Sequence, residues 1–482
     1  MLLRLPVEIL RDIVSLIGRR DITEVCRDIS TIAHTVPSLW SSIHLGSAQF
    51  VPSGPDFLHA RLDRTSVSPL TISIGPVTGQ TLIIADLCRE LSNFSLCIVR
   101  LEITTDTAAT AGRILDVVFP DLSHGKIFPE LQALSVRVTV DVDAHSPGPY
   151  RAIWPKVDRV LESATSNFPG LRTLSISSFF DCIPVLPDLS SFSHLHTLIL
   201  DGSGEEDLTD IILIVALLHS TPQLETLWIK HFFREHFVAV TNPNVPGTIK
   251  GRKNPRLHVV LPHLTSLAVT VPGCALELLR CIEAPALRNL HLDGSRAPDF
   301  WDFPSGWTNS DTSSVRNALE RFAQRAPNLR HLAVTAVLLT HPGWEWLLFG
   351  NEGREPPFLQ LETIALHQLH DKSLMGIECG FDDALLMRYA KERPIALRRL
   401  VIHQCNIPLT ASSVIEAFRG AMRGGRRVPC ELEYDPRSIN ITEEEVDILA
   451  RMDVRLICRQ EEAGGKWWTG GHERDASDSH AY

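Results

Sequence analysis

Paired cysteines are missing from this chain. Its ten cysteines are scattered, with Cys26, Cys88, Cys182, Cys281 and Cys405 among them, and no two stand as C-x-x-C. That argues against the common zinc frames and against a disulfide framework. Reduced thiols in a cytoplasmic or nuclear protein are the expectation. Long apolar runs are missing too. The most apolar stretch, "IILIVALLHS" from Ile211, is well short of the roughly 18 residues that suggest a membrane span. Arg4, Glu8, Arg11 and Asp12 interrupt Met1–Gly18, and no small-residue cleavage site follows. A secretory signal is therefore not expected there. Basic charge is short: 46 Lys and Arg face 57 Asp and Glu, for a net charge of −11. This works against a nucleic-acid role, which needs cations to replace the counterions of phosphate.

The marks of bond chemistry are also lacking. There is no G-x-x-x-x-G-K-[ST] loop, no G-x-S-x-G elbow and no H-E-x-x-H pair. "GGKWWTGG", from Gly464, has Gly and Lys in the wrong order for a phosphate loop. His231 and His236 stand five apart, off the one-face helical spacing for a metal. No catalytic residue, metal or cofactor is expected.

What the chain does have begins at its first residues. Pro6 suits the first turn of a helix, where its missing N–H costs nothing. Glu8 suits the positive end of the helix dipole. Ile9, Leu10, Ile13, Leu16 and Ile17 then recur at spacings of three and four on one apolar face. Gly18 closes that helix. A second amphipathic stretch, "DITEVCRDISTIA", is followed by "VPSLWSSIHL", with an aromatic anchor at Trp40 and an alternating strand. About 45 residues cannot bury this apolar surface alone, so a partner or the rest of the chain must cover part of it.

These residues resemble an F-box. The family's Leu-Pro opening, apolar helix, Val-Cys-Arg stretch and closing Leu-Trp match Leu5-Pro6, Glu8-Ile9-Leu10, Val25-Cys26-Arg27 and Pro37-Ser38-Leu39-Trp40. The stretch between the first helix and Val25 is about one helical turn shorter than usual, and Ile29 stands where the family often has an aromatic. The resemblance implies docking on a Skp-type adaptor of a cullin ubiquitin ligase, through Leu5, Pro6, Ile9, Leu10, Ile13 and Trp40. The alternative is that the segment caps the repeats that follow.

The rest of the chain repeats one pattern. "FPELQALSVRV", "FPGLRTLSIS", "FSHLHTLILD", "TPQLETLWIK", "LPHLTSLAVT", "APALRNLHLD", "APNLRHLAVT", "FLQLETIALH" and "PIALRRLVIH" share L-x-x-L-x-[VIL], most with a Pro just before it. Spacings between the first leucines run from 23 residues (Leu264 to Leu287) to 42 (Leu287 to Leu329), as in a solenoid with insertions on its loops. Helical stretches precede many copies, "DLTDIILIVALLHS", "SSVRNALERFAQR" and "DDALLMRYAKER" among them. "SPLTISIG" and "CIVRLEIT" read as earlier, weaker copies. Helix, tight turn and short strand, stacked right-handed, give an α/β array with a parallel sheet inside and helices outside. It resembles a degenerate leucine-rich repeat domain, and the whole chain resembles fungal-type F-box proteins with such repeats. The expected organisation is an F-box-like segment over 1–45, the array over 46–458, and a polar, disordered tail over 459–482.

In such an array the leucines Leu134, Leu174, Leu198, Leu227, Leu267, Leu290, Leu332 and Leu400 point to the core. The residue after each faces the open groove: Ser135, Ser175, Ile199, Trp228, Ala268, His291, Ala333 and Val401. A second groove row two residues on includes Asp201, Lys230, Asp293 and His403. Ile199, Trp228, Lys230, His291 and Asp293 form the candidate target-binding set, an aromatic anchor ringed by charge. The alternative is that Trp228 is covered and belongs to the core. Two insertions, 231–260 with Lys250, Arg252, Lys253 and Arg256, and 294–311 with Phe300, Trp301, Phe303 and Trp307, are either solvated or packed loops or further contact surfaces. Taken with the resemblance, the sequence implies a substrate-recognition subunit of a Skp–cullin–F-box ligase, itself non-catalytic, with an unknown protein target. A repeat scaffold that binds a protein without ubiquitin chemistry is the other reading.

Overall fold

The computed structural model describes residues 40–46, 54–65, 68–77, 91, 94–119, 128–138, 168–177, 192–201, 211–230, 258–270, 274–294, 319–335, 341–350, 356–369, 380–393, 397–422 and 429–459. Leu5, Pro6, Ile9, Leu10 and Ile13, most of both insertions, and the tail beyond Arg459 lie outside the described residues. The chain divides into two compact units, Met1–Leu195 with Trp468–Tyr482, and His196–Trp467.

The first unit carries β1 (Ser42–Leu45), β2 (Leu70–Val77), β3 (Ile98–Thr105), β4 (Ala133–Val138) and β5 (Thr173–Ser177), parallel and side by side in chain order. Helices α1 (Gly54–Thr65) and α2 (Ala108–Val118) connect successive strands. Thr107 caps α2 by accepting a hydrogen bond from the Thr110 amide, which satisfies one of the helix's orphan donors. Phe119, Phe128 and Phe168 pack with centroids 4.7 to 5.8 Å apart and fill the core beside β4 and β5.

The second unit has β6 (Thr197–Asp201), β7 (Thr226–Lys230), β8 (Val259–Val260), β9 (Ser266–Thr270), β10 (Ile282–Glu283), β11 (Asn289–Asp293), β12 (His331–Thr335), β13 (Thr363–His367), β14 (Arg399–His403), β15 (Cys430–Tyr434) and β16 (Val454–Cys458). Nine of these run parallel in chain order; β8 and β10 pair separately. Helices α3 (Ile211–His219), α4 (Cys274–Cys281), α5 (His341–Phe349), α6 (Asp383–Glu392), α7 (Ala411–Met422) and α8 (Glu443–Arg451) lie between strands. The fold is thus α/β, an open parallel array of the leucine-rich-repeat kind. Among the described residues eight helices lie between these strands, with further helical residues at 319–325. No helix among the described residues is long and apolar enough to cross a membrane.

One turn recurs at the entries of β4, β5, β7, β9, β11, β12 and β13. The amide of the first leucine donates to the carbonyl three residues back: Leu131 to Phe128, Leu171 to Phe168, Leu224 to Thr221, Leu264 to Leu261, Leu287 to Ala284, Leu329 to Ala326 and Leu361 to Phe358, at 3.1 to 3.4 Å. Pro129, Pro169, Pro222, Pro262, Pro285 and Pro327 stand second in six of these turns, where a fixed φ near −65° suits a type I turn. The turn's first residue and both leucines are buried, so a single motif places three core side chains per repeat. The strand leucines stand in register across the second unit, from Leu198 through Leu227, Leu267, Leu290 and Leu332, then Ile364, Leu400, Leu432 and Leu456.

Two polar side chains bind backbone carbonyls inside this core. Tyr389 donates its hydroxyl to the Leu361 carbonyl at 2.5 Å. Arg393 donates to the Leu348 carbonyl at 3.1 Å and to the Phe358 carbonyl, tying the end of α5 to the next turn. Gly420 lets α7 approach α6, since a Cβ there would stand 2.7 Å from the Ala390 carbonyl oxygen. Thr442 and Glu445 form a capping box at the start of α8.

Candidate binding face

The residue after each core leucine lies in a row of its own. In the second unit that row reads Ile199, Trp228, Ala268, His291, Ala333, Ala365, Val401, Glu433 and Ile457, each paired in register with the next. The sequence predicts an open row. Ile199 and Trp228 are half-exposed, but Ala268, His291, Ala333, Ala365 and Val401 are buried. Ala333, Ala365 and Val401 form a small apolar cluster, 6 to 9% exposed. For the alanines small size contributes, because strands about 4.8 Å apart set a methyl group below any larger neighbour. Ala268, for example, stands between Trp228 and His291.

Ile199 and Trp228 are register partners, so the structure brings these two candidates side by side. His291 is two strands from Trp228, with Ala268 between. Its Nε2 lies 2.8 Å from the Thr335 hydroxyl. Asp293 is half-exposed at the end of β11, paired in register with Thr270 and Thr335. Lys230 ends β7, its backbone in register with Asp201. Trp40 is buried just before β1, with the guanidinium groups of Arg61 and Arg64 of α1 5.8 and 4.8 Å from its ring centroid.

Farther along the same face is a polar network that sequence reasoning missed. His367 and His403, register partners on β13 and β14, stack with centroids 5.5 Å apart and planes 6° from parallel. The Nδ1 of His367 is buried without a hydrogen-bond partner among the described residues. Burial, with the neighbouring His403 and His291, pushes the His367 pKa down to about 3, so the ring is neutral. His403 Nε2 lies 3.3 Å from Glu433, which also accepts from Arg399 at 2.6 Å and Arg459 at 2.7 Å. Burial pushes Glu433 up, but hydrogen bonds from His403 and Arg399 and the charge of Arg459 outweigh it and hold the pKa at about 2. Arg399 reaches Glu431 as well, at 2.9 Å. Among the described residues no group of three or more His, Cys, Asp or Glu is arranged to hold a metal ion.

Two signals could have exposed this network. Ile364 takes the place of the strand leucine in "FLQLETIALH", so counting it as a leucine places His367 in the second groove row beside His403. "CELEY" alternates apolar and acidic residues, the mark of a half-buried strand, although its turn lacks the leucine pattern.

No family model and no curated protein matches the chain. Among solved structures, a protein from Bacteroides fragilis is similar at 16% identity and a TM-score of 0.24, over 52% of this chain and 73% of that one. The Rad7 and Elc1 complex of yeast is similar at 11% identity and a TM-score of 0.30, over 82% of this chain and 86% of that one.

Proposed function

We propose that this chain is a substrate-recognition subunit of a Skp–cullin–F-box ubiquitin ligase. Its first 45 residues would dock the adaptor through Leu5, Pro6, Ile9, Leu10 and Ile13, and its array would hold a target protein. Such a receptor does no bond chemistry. It raises the target's effective concentration beside a ubiquitin-charged enzyme. The observation that carries the array's part is the groove row of the second unit. There Ile199 and Trp228 stand half-exposed on rigid parallel strands, next to a floor of alanines. An aromatic anchor on a preorganised surface is the composition of a protein-binding hot spot. The adaptor's part rests on the F-box resemblance of the opening residues.

A second reading has its own observation. Trp40, which closes the F-box-like pattern, is buried under Arg61 and Arg64 of the array's first helix. This favours a segment whose end is anchored as a cap, in a scaffold that binds its partner without ubiquitin chemistry. Co-purification with a Skp-type adaptor separates the two. The native chain should hold the adaptor, and a folded Leu5→Ala/Pro6→Ala/Ile9→Ala variant should lose it. A native chain that folds and holds no adaptor supports the scaffold.

A further inference from the structure

The strand entries of the second unit, from β11 to β16, carry cations out of proportion to a chain of net charge −11. Arg288, Arg330, Glu362 and Arg398 follow one another along the sheet end, each linked to its neighbour's backbone: the Arg330 amide donates to Arg288, Glu362 to Arg330 and Arg398 to Glu362, at 2.8 to 2.9 Å. The next position inward reads Asn289, His331, Thr363, Arg399, Glu431 and Arg455. Arg459 lies at the other, carboxyl end of β16. Among the described residues five arginines, Arg288, Arg330, Arg398, Arg399 and Arg455, thus stand at this end with Glu362, Glu431 and Asp453, and Arg399 also reaches along β15 to Glu433.

Exposure sorts the two signs. The side chains of Arg330, Arg398, Arg399 and Arg455 are 45 to 75% exposed, whereas those of Glu362, Glu431 and Glu433 are 5 to 24% exposed; Asp453, just before β16, is an exposed exception. Arg288 is exposed as well. Glu362 lies beneath Arg330 and Arg398, at 3.9 and 3.4 Å, and Glu431 beneath Arg399 and Arg455, at 2.9 and 3.6 Å. A guanidinium has five donors, so these pairs leave others facing water. A second observation reports the same field. The His331 pKa lies below its usual value through burial and, against the pull of Glu362, through the charges of Arg399, Arg330 and Arg288. The stripe ends at β11: the equivalent position on β9 is Thr265, and those on β7 and β6 are Glu225 and His196, paired at 3.0 Å.

We propose that this arginine stripe binds an extended, carboxylate-rich segment of a partner protein. The proposal deepens the reading of the array as a target-holding surface and does not depend on the adaptor. Five strand spacings of ~4.8 Å make the stripe about 24 Å long. An extended peptide covers that length with about seven residues. Arginine forks can match a carboxylate with two bonds at once, and one fork can serve two carboxylates, as Arg399 does with Glu431 and Glu433. Charge is screened beyond roughly 8 Å, so a short acidic segment sees the stripe alone, while a long nucleic acid also meets the acidic remainder of the chain.

The test is fluorescence anisotropy of the full chain with a fluorescein-labelled peptide of seven glutamates, without adaptor. Binding should weaken at least tenfold between 50 and 300 mM salt. It should also weaken at least tenfold in an Arg288→Glu/Arg455→Glu variant, whose folding is checked by its unchanged circular dichroism and melting. A seven-lysine peptide should not bind. No binding of the glutamate peptide, or equal binding by the variant, overturns the proposal. So does tighter binding of a labelled single-stranded oligonucleotide, or binding only when the peptide carries phosphoserine in place of glutamate. Because no adaptor is present, loss of adaptor docking in the earlier experiment leaves this result untouched.

Discussion

Glu102 and Glu433 occupy the same place in two repeats, the groove position after the strand's core residue. Glu102, in the first unit, is 44% exposed and has Arg100 3.8 Å away. Glu433, in the second, is 5% exposed and is gripped by Arg399, Arg459 and His403. The difference extends along both rows. In the first unit the row reads His44, Ser73, Glu102, Ser135 and Ser175, exposed or half-exposed throughout. In the second it is closed from Ala268 to Glu433. One strand pattern thus makes two surfaces. A row of small polar side chains stays wetted, and a row of alanine, histidine and buried glutamate becomes a rigid, partly desolvated floor. Interactions on the second are worth more, because burial strengthens them and leaves each group few alternatives.

Removing the two glutamates tests this first, with the largest expected effect. Glu433→Ala leaves His403 buried beside two arginines that have lost a partner, and should cost roughly 2–4 kcal/mol, below a fully buried pair because both arginines keep solvent. Glu102→Ala should cost less than about 0.5 kcal/mol. Urea unfolding of the two variants measures both.

Added bulk should sharpen the contrast. Ala333→Leu overfills the closed floor and should cost about 1–3 kcal/mol. Ser135→Leu, in the open row, should change stability by no more than ~0.5 kcal/mol in the same titration.

Acid should act through the second unit first. His367 is held at about 3, against an ordinary 6.5. Below pH 6.5 the unfolded chain takes up a proton that the folded chain refuses, so stability falls as pH drops through that window. Glu433, held at about 2 against 4.5, adds its loss only below pH 4.5. Melting temperatures of His367→Gln should therefore show a shallower decline than the native chain from pH 6.5 down to about pH 3, and a parallel one only below that. Trp228→Gln should act weakly on stability at any pH. This half-exposed side chain should cost less than ~1 kcal/mol in urea, which makes the variant a usable probe of target binding.

Much of the array was legible because its signal is local. L-x-x-L-x-[VIL] after a proline turn specifies a turn, two core leucines and a strand within ten residues. Thr442 and Glu445 announce the start of α8 in four. Groove burial was not legible, because it depends on neighbours 20 to 40 residues away in sequence: Ala268 is closed by Trp228 and His291. The His367–His403 stack needs the register of β13 with β14, which Ile364 hid by replacing a leucine with an equally apolar residue. Helix α5 was missed because "HPGWEWLLF" opens on Pro and Gly and lacks the amphipathic spacing. It is held by burial of Trp344 against Phe381, centroids 5.0 Å apart.

The central claim is that one end of this chain meets an adaptor while the second unit's groove meets a target. Size-exclusion of purified chain mixed with a Skp-type adaptor tests it most directly, using the native chain, Leu5→Ala/Pro6→Ala/Ile9→Ala and Trp228→Gln. The account predicts one co-eluting complex for the native chain and for Trp228→Gln, and separate peaks for the folded triple variant. Separate peaks for the native chain, or a complex that survives the triple substitution, would contradict it.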